Sequence, residues 1–208
     1  VIDKKDVIPV TRSFREIRSF KNPPPSTFCL YTETPGKFTS FYIDYGETIG
    51  IDNRPTLKNR KEWYALSELK PCRILLPVAL LDRLFIPISD RPLICDKRLY
   101  TLDTRKPDKV WLYLNSTIFL ITIQLFSRKG SSSARGAVMD ATVEDYVDVP
   151  VPNLSLLHVE FDPEKMLKRR PLRYSEEIKQ EDRIELDLAV LRALDFDNPE
   201  ALLRELYS

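Results

Sequence analysis

The chain has 208 residues, enough for one large domain or one domain with a small appendage. Hydrophobic residues make up 43% and charged residues 30%, which excludes bulk disorder and a chain embedded in a membrane along its length. The net charge of +1 conceals a division: residues 1–138 hold 23 basic and 14 acidic side chains (+9), and residues 139–208 hold 9 and 17 (−8).

The first 25 residues run from a charged start to an extended stop at Asn22-Pro-Pro-Pro. Residues 28–31 and 37–45 are aromatic and β-branched, with Thr34-Pro35-Gly36 between them, and this pattern predicts a β-hairpin. Residues 53–61 form a basic loop, and 62–69 a short helix that ends before Pro71. The apolar runs 73–81, 84–88, 93–94 and 98–102 are predicted as short strands. Pro77, Pro87 and Pro92 interrupt them, so several should be edge or bulged strands. Residues 110–114 read as a further strand. From Asn115 to Phe126 the residues are apolar almost all round, which predicts a helix buried in the middle of the domain, capped by Asn115 or Ser116 and ended by Gly130. Thr142-Val-Glu-Asp145 has the layout of a capping box, and Pro150 and Pro152 force an extended exit. A helix over 178–194 and another opened by Asn198-Pro199 complete the chain. The expected fold class is α/β (α+β), with a mixed, largely antiparallel short-strand sheet packed on a buried central helix. Residues 1–155 would be the body, and 156–208 an acidic helical tail or interface segment.

Glycine is scarce and proline abundant, 5 against 16. The glycines at 36, 46, 50, 130 and 136 never form Gly-x-Gly, so Rossmann, Walker and other glycine-rich phosphate loops are absent. Cys29, Cys72 and Cys95 lie far apart without metal-ligand spacing, and His158 is the one histidine. Buried, unpaired thiols in a reducing compartment and a surface or packing histidine are the expectation. The longest uncharged run, 110–126, is broken by polar residues and falls short of the roughly 20 apolar residues that a span needs. No signal peptide opens the chain, and the start at Val1 and end at Ser208 read as those of a piece of something longer.

Three stretches concentrate the positive charge: Arg54, Lys58, Arg60 and Lys61 with no acid among them; Arg105, Lys106 and Lys109 around Asp108; and Arg128, Lys129 and Arg135 flanking Gly130-Ser-Ser-Ser. Each lies where turn residues accumulate, and a positive field over such loops attracts polyanions.

The run Leu112-Tyr-Leu-Asn-Ser-Thr-Ile-Phe119, Gly130 with its serines, and Thr142-Val-Glu-Asp145 leading to Val149-Pro-Val-Pro152 resembles the target-recognition region of adenine-specific DNA methyltransferases of restriction–modification systems. The basic segment ending in Trp63-Tyr64 and the run from Asp182-Arg-Ile-Glu-Leu-Asp187 to Phe196 are similar to that family's flanking segments, so the resemblance covers residues 52–196. It implies a cytoplasmic parent enzyme that uses S-adenosylmethionine to methylate adenine N6 in duplex DNA. The catalytic domain would lie elsewhere in the parent, and this region would bind no cofactor itself. Asn22-Pro-Pro-Pro departs from the family's catalytic Asn/Asp-Pro-Pro-aromatic pattern, because a fourth proline has no π-face on which to stack a base. The expected DNA-binding residues are Arg54, Lys58, Arg60, Lys61, Arg128, Lys129 and Arg135. Trp63 and Tyr64 are expected to pack beneath the basic loop, and the 184–194 face to meet the catalytic domain or another helix. Two other classes compete: a protein-interaction adaptor using the acidic helices, and a nuclease-associated subunit, whose nearest carboxylate–lysine arrangement is Asp162-Pro-Glu-Lys165.

Overall fold

A computed structural model describes residues 1–66, 69–80, 82–129, 139–154 and 156–208. Strand β1 (Val7–Val10) pairs antiparallel with β2 (Thr27–Leu30), Val7 facing Leu30 and Val10 facing Thr27. The hairpin expected between 28–31 and 37–45 is not formed, because Lys37–Thr48 is a helix, α1. Gly36, which read as a turn residue, is its N-cap and has no side chain with which to bond the first turn. Carboxylates from the chain start do this instead: the Thr39 N–H donates to Asp3 at 3.0 Å and the Gly36 N–H to Asp6 at 2.7 Å. Both also suit the positive end of the helix dipole. The aromatic residues at 38, 41, 42 and 45 thereby follow helical spacing and not strand alternation.

Strand β3 (Cys72–Pro77) is the buried centre of an antiparallel sheet, with Ala79–Leu80 (β4) following it in the chain. Its neighbours are β5 (Ile88–Leu93) and β6 (Leu99–Leu102), in the order β5–β3–β6, with a bulge between Cys72 and Ile74. Pro92 is exposed on the edge strand β5, where a missing N–H costs nothing. The strand expected over 84–88 is realised only at Ile88. Leu84, Phe85 and Ile86 instead cross the core as irregular backbone, with 2%, 1% and 1% exposure.

Residues 110–114, expected as a strand, belong to helix α2 (Pro107–Leu114). An apolar run of five cannot be assigned by periodicity alone, and Pro107 at the first helical position was the overlooked start signal. Asn115 ends α2, and Ser116 is the N-cap of α3 (Thr117–Phe126), its hydroxyl accepting from the Phe119 N–H at 3.3 Å. The two helices are bent by 73°, and among the described residues no single helix is long and apolar enough to cross a membrane. Phe119, Leu120 and Ile123 make α3 the central helix, although Leu125 and Phe126 emerge at its end, 79% and 45% exposed. Gly130, the expected stop, lies outside the described residues. The Asn115 amide ties this helical elbow to the irregular segment. It accepts from the Ile86 N–H at 3.0 Å and donates to the Ile86 carbonyl at 3.0 Å, where Trp111 Nε1 also donates at 2.7 Å.

Short strands β7 (Arg128–Lys129) and β8 (Met139–Asp140) join β4 in the order β4–β8–β7. Helix α4 (Val143–Asp148) begins with the expected capping box: Asp145 N–H to Thr142 Oγ1 at 3.2 Å, and Thr142 N–H to Asp145 Oδ2 at 2.7 Å. Helices α5 (Glu164–Lys168), α6 (Tyr174–Glu177), α7 (Glu181–Ala193) and α8 (Pro199–Tyr207) follow, the last capped by Asn198 as its sequence predicts. Met166, Leu186 and Val190 from these helices enter the same hydrophobic cluster as Phe20, Leu75 and Leu120. The 184–194 face meets another helix, α8, around Ile184, Leu188, Leu203 and Tyr207.

Asp187 of α7 is buried and accepts from the Thr117 N–H, the Thr117 hydroxyl and the Tyr207 hydroxyl, each at 2.6 Å. Burial pushes its carboxyl up, against the opposing pull of Arg183, Thr117 and Tyr207. Arg169 bonds Asp182 through Nε at 2.7 Å and Glu177 through Nη1 at 2.9 Å, and its guanidinium lies 5.3 Å from the Phe20 ring centroid. Asp187→Ala leaves the first α3 N–H and the Thr117 and Tyr207 hydroxyls without their acceptor and removes a negative charge near buried Arg183, and should cost about 3–5 kcal/mol. Urea denaturation checks this, as a lowered midpoint at unchanged slope.

Candidate nucleic-acid interface

The basic loop grows out of the end of α1. Gly50 adopts a left-handed φ of +74°, which turns the chain away from the helix axis. Successive turns follow, with N–H donors of Arg54 to Ile51 O (3.1 Å), Lys58 to Arg54 O (2.9 Å) and Arg60 to Leu57 O (2.9 Å). Arg54, Lys58, Arg60 and Lys61 are all exposed. Among the described residues none of the four forms an ion pair, and Arg60 Nη1 bonds only the Ala65 carbonyl, at 3.3 Å. Loop 53–61 therefore presents to solvent four cations that make no ion pair among the described residues. Residues 62–66 make a turn, not the expected helix, with the Ala65 N–H on Glu62 O at 3.0 Å; residues 67 and 68 lie outside the described set.

The loop is held at its far end by Trp63. A Cβ at Gly46 would come within 2.7 Å of the Trp63 ring, so the indole lies directly against the α1 backbone. Tyr64 meets that ring edge-on at 5.8 Å. Both aromatics pack, as the sequence suggested. The face of α1 beside this contact was not foreseen: Phe38, Phe41 and Tyr45 are 51%, 59% and 61% exposed, with Tyr42 and Ile49 also open. Their i, i+3, i+4, i+7 spacing is the signal that could have found it.

The other candidates are dispersed. Arg128 and Lys129 lie on β7, at the edge of a different sheet, with Arg128 in register with Asp140. Arg135 lies outside the described residues. Arg105, Lys106 and Lys109 are exposed around the start of α2, where their charge opposes the helix dipole, while Asp108 is paired with Arg73 at 3.1 Å. Asn22 has a positive φ of 51°, and its amide is taken up by strand β5. It accepts from the Asp90 N–H (2.8 Å) and the Ser89 hydroxyl (3.1 Å), and donates to the Asp90 carboxylate (2.9 Å).

Among the described residues no three His, Cys, Asp or Glu come together at metal-binding distance. The three cysteines are free thiols, but only Cys72 is buried; burial, aided by Asp96, pushes the half-buried Cys95 up to about 11. His158 is exposed. A groove of about 550 Å³ between β6, α2 and α4 is lined mainly by apolar side chains, among them Leu76, Leu102, Val110 and Val147.

No family profile and no curated protein matches the chain. Its fold is similar to part of the crystal structure of the type IIG restriction endonuclease BpuSI, with a TM-score of 0.63 at 11% identity over 99% of this chain. The chain spans 26% of that enzyme's length.

Gly46→Ala should gain up to about 1 kcal/mol in helix propensity but lose more to the clash with Trp63, for a net cost of about 1–2 kcal/mol. The displaced indole frees the loop, so limited trypsinolysis after Lys58, Arg60 or Lys61 should accelerate while cleavage elsewhere does not.

Proposed function

We propose that this chain is the target-recognition region of a restriction–modification enzyme and binds duplex DNA through loop 53–61. The observation that carries this reading is the group of four exposed, unpaired cations on a loop pinned by the Gly46–Trp63 contact, in a fold similar to part of a type IIG restriction endonuclease. Pinning lowers the ordering entropy that a loop loses on binding. Arg54 and Arg60 carry forks able to bond guanine O6 and N7 at about 1–3 kcal/mol of discrimination, while Lys58 and Lys61 suit phosphate oxygens. Arg128, Lys129 and Arg135 would add a second contact along the duplex.

In the finer form of this proposal the parent enzyme methylates adenine N6 from S-adenosylmethionine. Flipping the target base costs about a few kcal/mol, and the binding energy of a recognition region on the flanking duplex offsets it. The catalytic domain of the parent then holds base and cofactor, and the residues here set affinity and register.

One observation favours a second reading. The open aromatic face of α1 is suited to a protein partner, as an adaptor would need.

Fluorescence anisotropy on mixed-sequence duplex DNA across a salt series separates the two. Reversal of Arg54, Lys58, Arg60 and Lys61 to glutamate should abolish binding at 150 mM salt and, through the two phosphate-facing lysines, flatten the log–log salt slope by about two. Absence of binding at low salt, or indifference to the four reversals, would transfer the assignment to the adaptor.

A further inference from the structure

Three arginines from two distant parts of the chain converge on a cleft of about 360 Å³, lined by Phe14, Arg15, Arg18, Asp82 and Arg83. Arg83 is half-buried and fixed in place. Its Nη1 donates to the Ile17 carbonyl at 3.1 Å, its Nη2 to the Arg15 carbonyl at 3.3 Å, and its guanidinium lies 5.9 Å from the Phe85 ring centroid. Those acceptors are neutral, so among the described residues no ion pair balances the positive charge, and Asp82 offsets it only through space. The backbone that carries the other two arginines is also fixed: Phe14 and Ile17 are buried, and the Ser13 hydroxyl accepts from the Arg15 N–H at 3.3 Å. Neither the Arg15 nor the Arg18 side chain meets a carboxylate among the described residues. Asp82, the acid of the lining, is shared with Arg173, whose Nε lies 3.2 Å from it. Three arginines and one carboxylate thus line the cleft, and that carboxylate is already paired with a fourth arginine. Burial, and then the neighbouring Arg18, disfavour the charged form of Arg83, with Asp82 pulling the other way.

Three like charges gathered on one cleft, one of them fixed by backbone carbonyls and none in an ion pair among the described residues, form a receptor for an anion. Planar guanidinium forks match the tetrahedral oxygens of phosphate two at a time. We propose that the cleft of Arg15, Arg18 and Arg83 binds a phosphate oxyanion, supplied by a phosphodiester of bound duplex DNA. The source of the phosphate rests on the DNA-binding reading above; the chemistry of the cleft does not. Arg83 acts as the positioning residue, and Arg15 and Arg18 reach outward as the forks. The cleft would be a backbone contact separate from loop 53–61, fixing orientation without reading bases.

The test uses the whole chain, the charge-removing pair Arg15→Ala/Arg18→Ala and the charge-keeping pair Arg15→Lys/Arg18→Lys. Both positions are exposed, and neither side chain bonds another of the described residues, so the unfolding midpoint in chloride should stay the same or rise as like charges are relieved. One arm titrates a mixed-sequence 20-base-pair duplex across salt. The alanine pair should flatten the log–log slope by about two, and the lysine pair should restore it. The other arm measures the rise in melting temperature with inorganic phosphate over chloride at equal ionic strength, which the alanine pair should lose. A changed slope assigns the phosphate to DNA. An unchanged slope with a lost phosphate effect, including the case in which the wild type binds no DNA, keeps the cleft as a free-phosphate site and removes the duplex as its source. If the alanine pair alters neither the slope nor the phosphate effect, the proposal is overturned.

Discussion

A helix that begins inside a protein brings its unpaired N–H groups with it, and α3 begins inside this one. Thr117 is fully buried, so water cannot serve the first turn. Ser116 satisfies one donor from within the chain's own turn, and Asp187, seventy residues away, satisfies another and places negative charge at the positive end of the dipole. This requirement dictates much of the surrounding architecture. Helix α7 must lie across the start of α3, so the helical tail is registered against the body by a hydrogen bond and not only by apolar contact. The arrangement has a cost. Arg183 is wholly buried opposite, and its Nε and Nη1 have no partner among the described residues. A buried ionic network of this kind contributes more to fixing one alignment than to net stability.

The Arg169 cluster repeats the same logic at the edge of the core. Glu177 and Asp182 are 1% and 6% exposed and both bond the Arg169 guanidinium, which covers the face of Phe20, while Glu177 also meets Arg183. Acids that look like part of a solvated tail in the sequence are partly turned inward. In the run 182–187, which carries part of the family resemblance, Asp182, Arg183 and Asp187 are buried. A resemblance in that run therefore reflects how the tail is fastened, independent of any contact with a ligand.

What could be read in advance follows from the range of the forces involved. Local chemistry was readable: the Thr142 box, the Asn198-Pro199 start, the Ser116 cap and the apolar central helix all rest on neighbours within a turn or two. So were strands β3 and β6, and the exposed basic loop, whose lack of acids is visible residue by residue. Helix α1 was misread because its cap comes from Asp3, 36 residues before Thr39, and because its aromatic face points to solvent and so imitates a strand. Helix α2 was misread because five apolar residues carry no distinguishable period. Within the candidate interface, the close approach of Trp63 to Gly46 depends on how the chain folds back, and Arg83 meets Arg15 only through tertiary structure. Neither leaves a mark in the order of residues.

The chain has two tryptophans, and they occupy opposite environments. Trp111 is 2% exposed, bonded to the Ile86 carbonyl and set edge-on to Phe20 at the centre of the core. Trp63 lies at the foot of the loop against bare helix backbone, its Nε1 without a partner among the described residues. An indole's emission moves to longer wavelength as its surroundings become polar, so the two rings divide the fluorescence of this protein between two events. Trp111 responds when the core opens, and Trp63 responds when the loop lifts from α1 while the core stays closed.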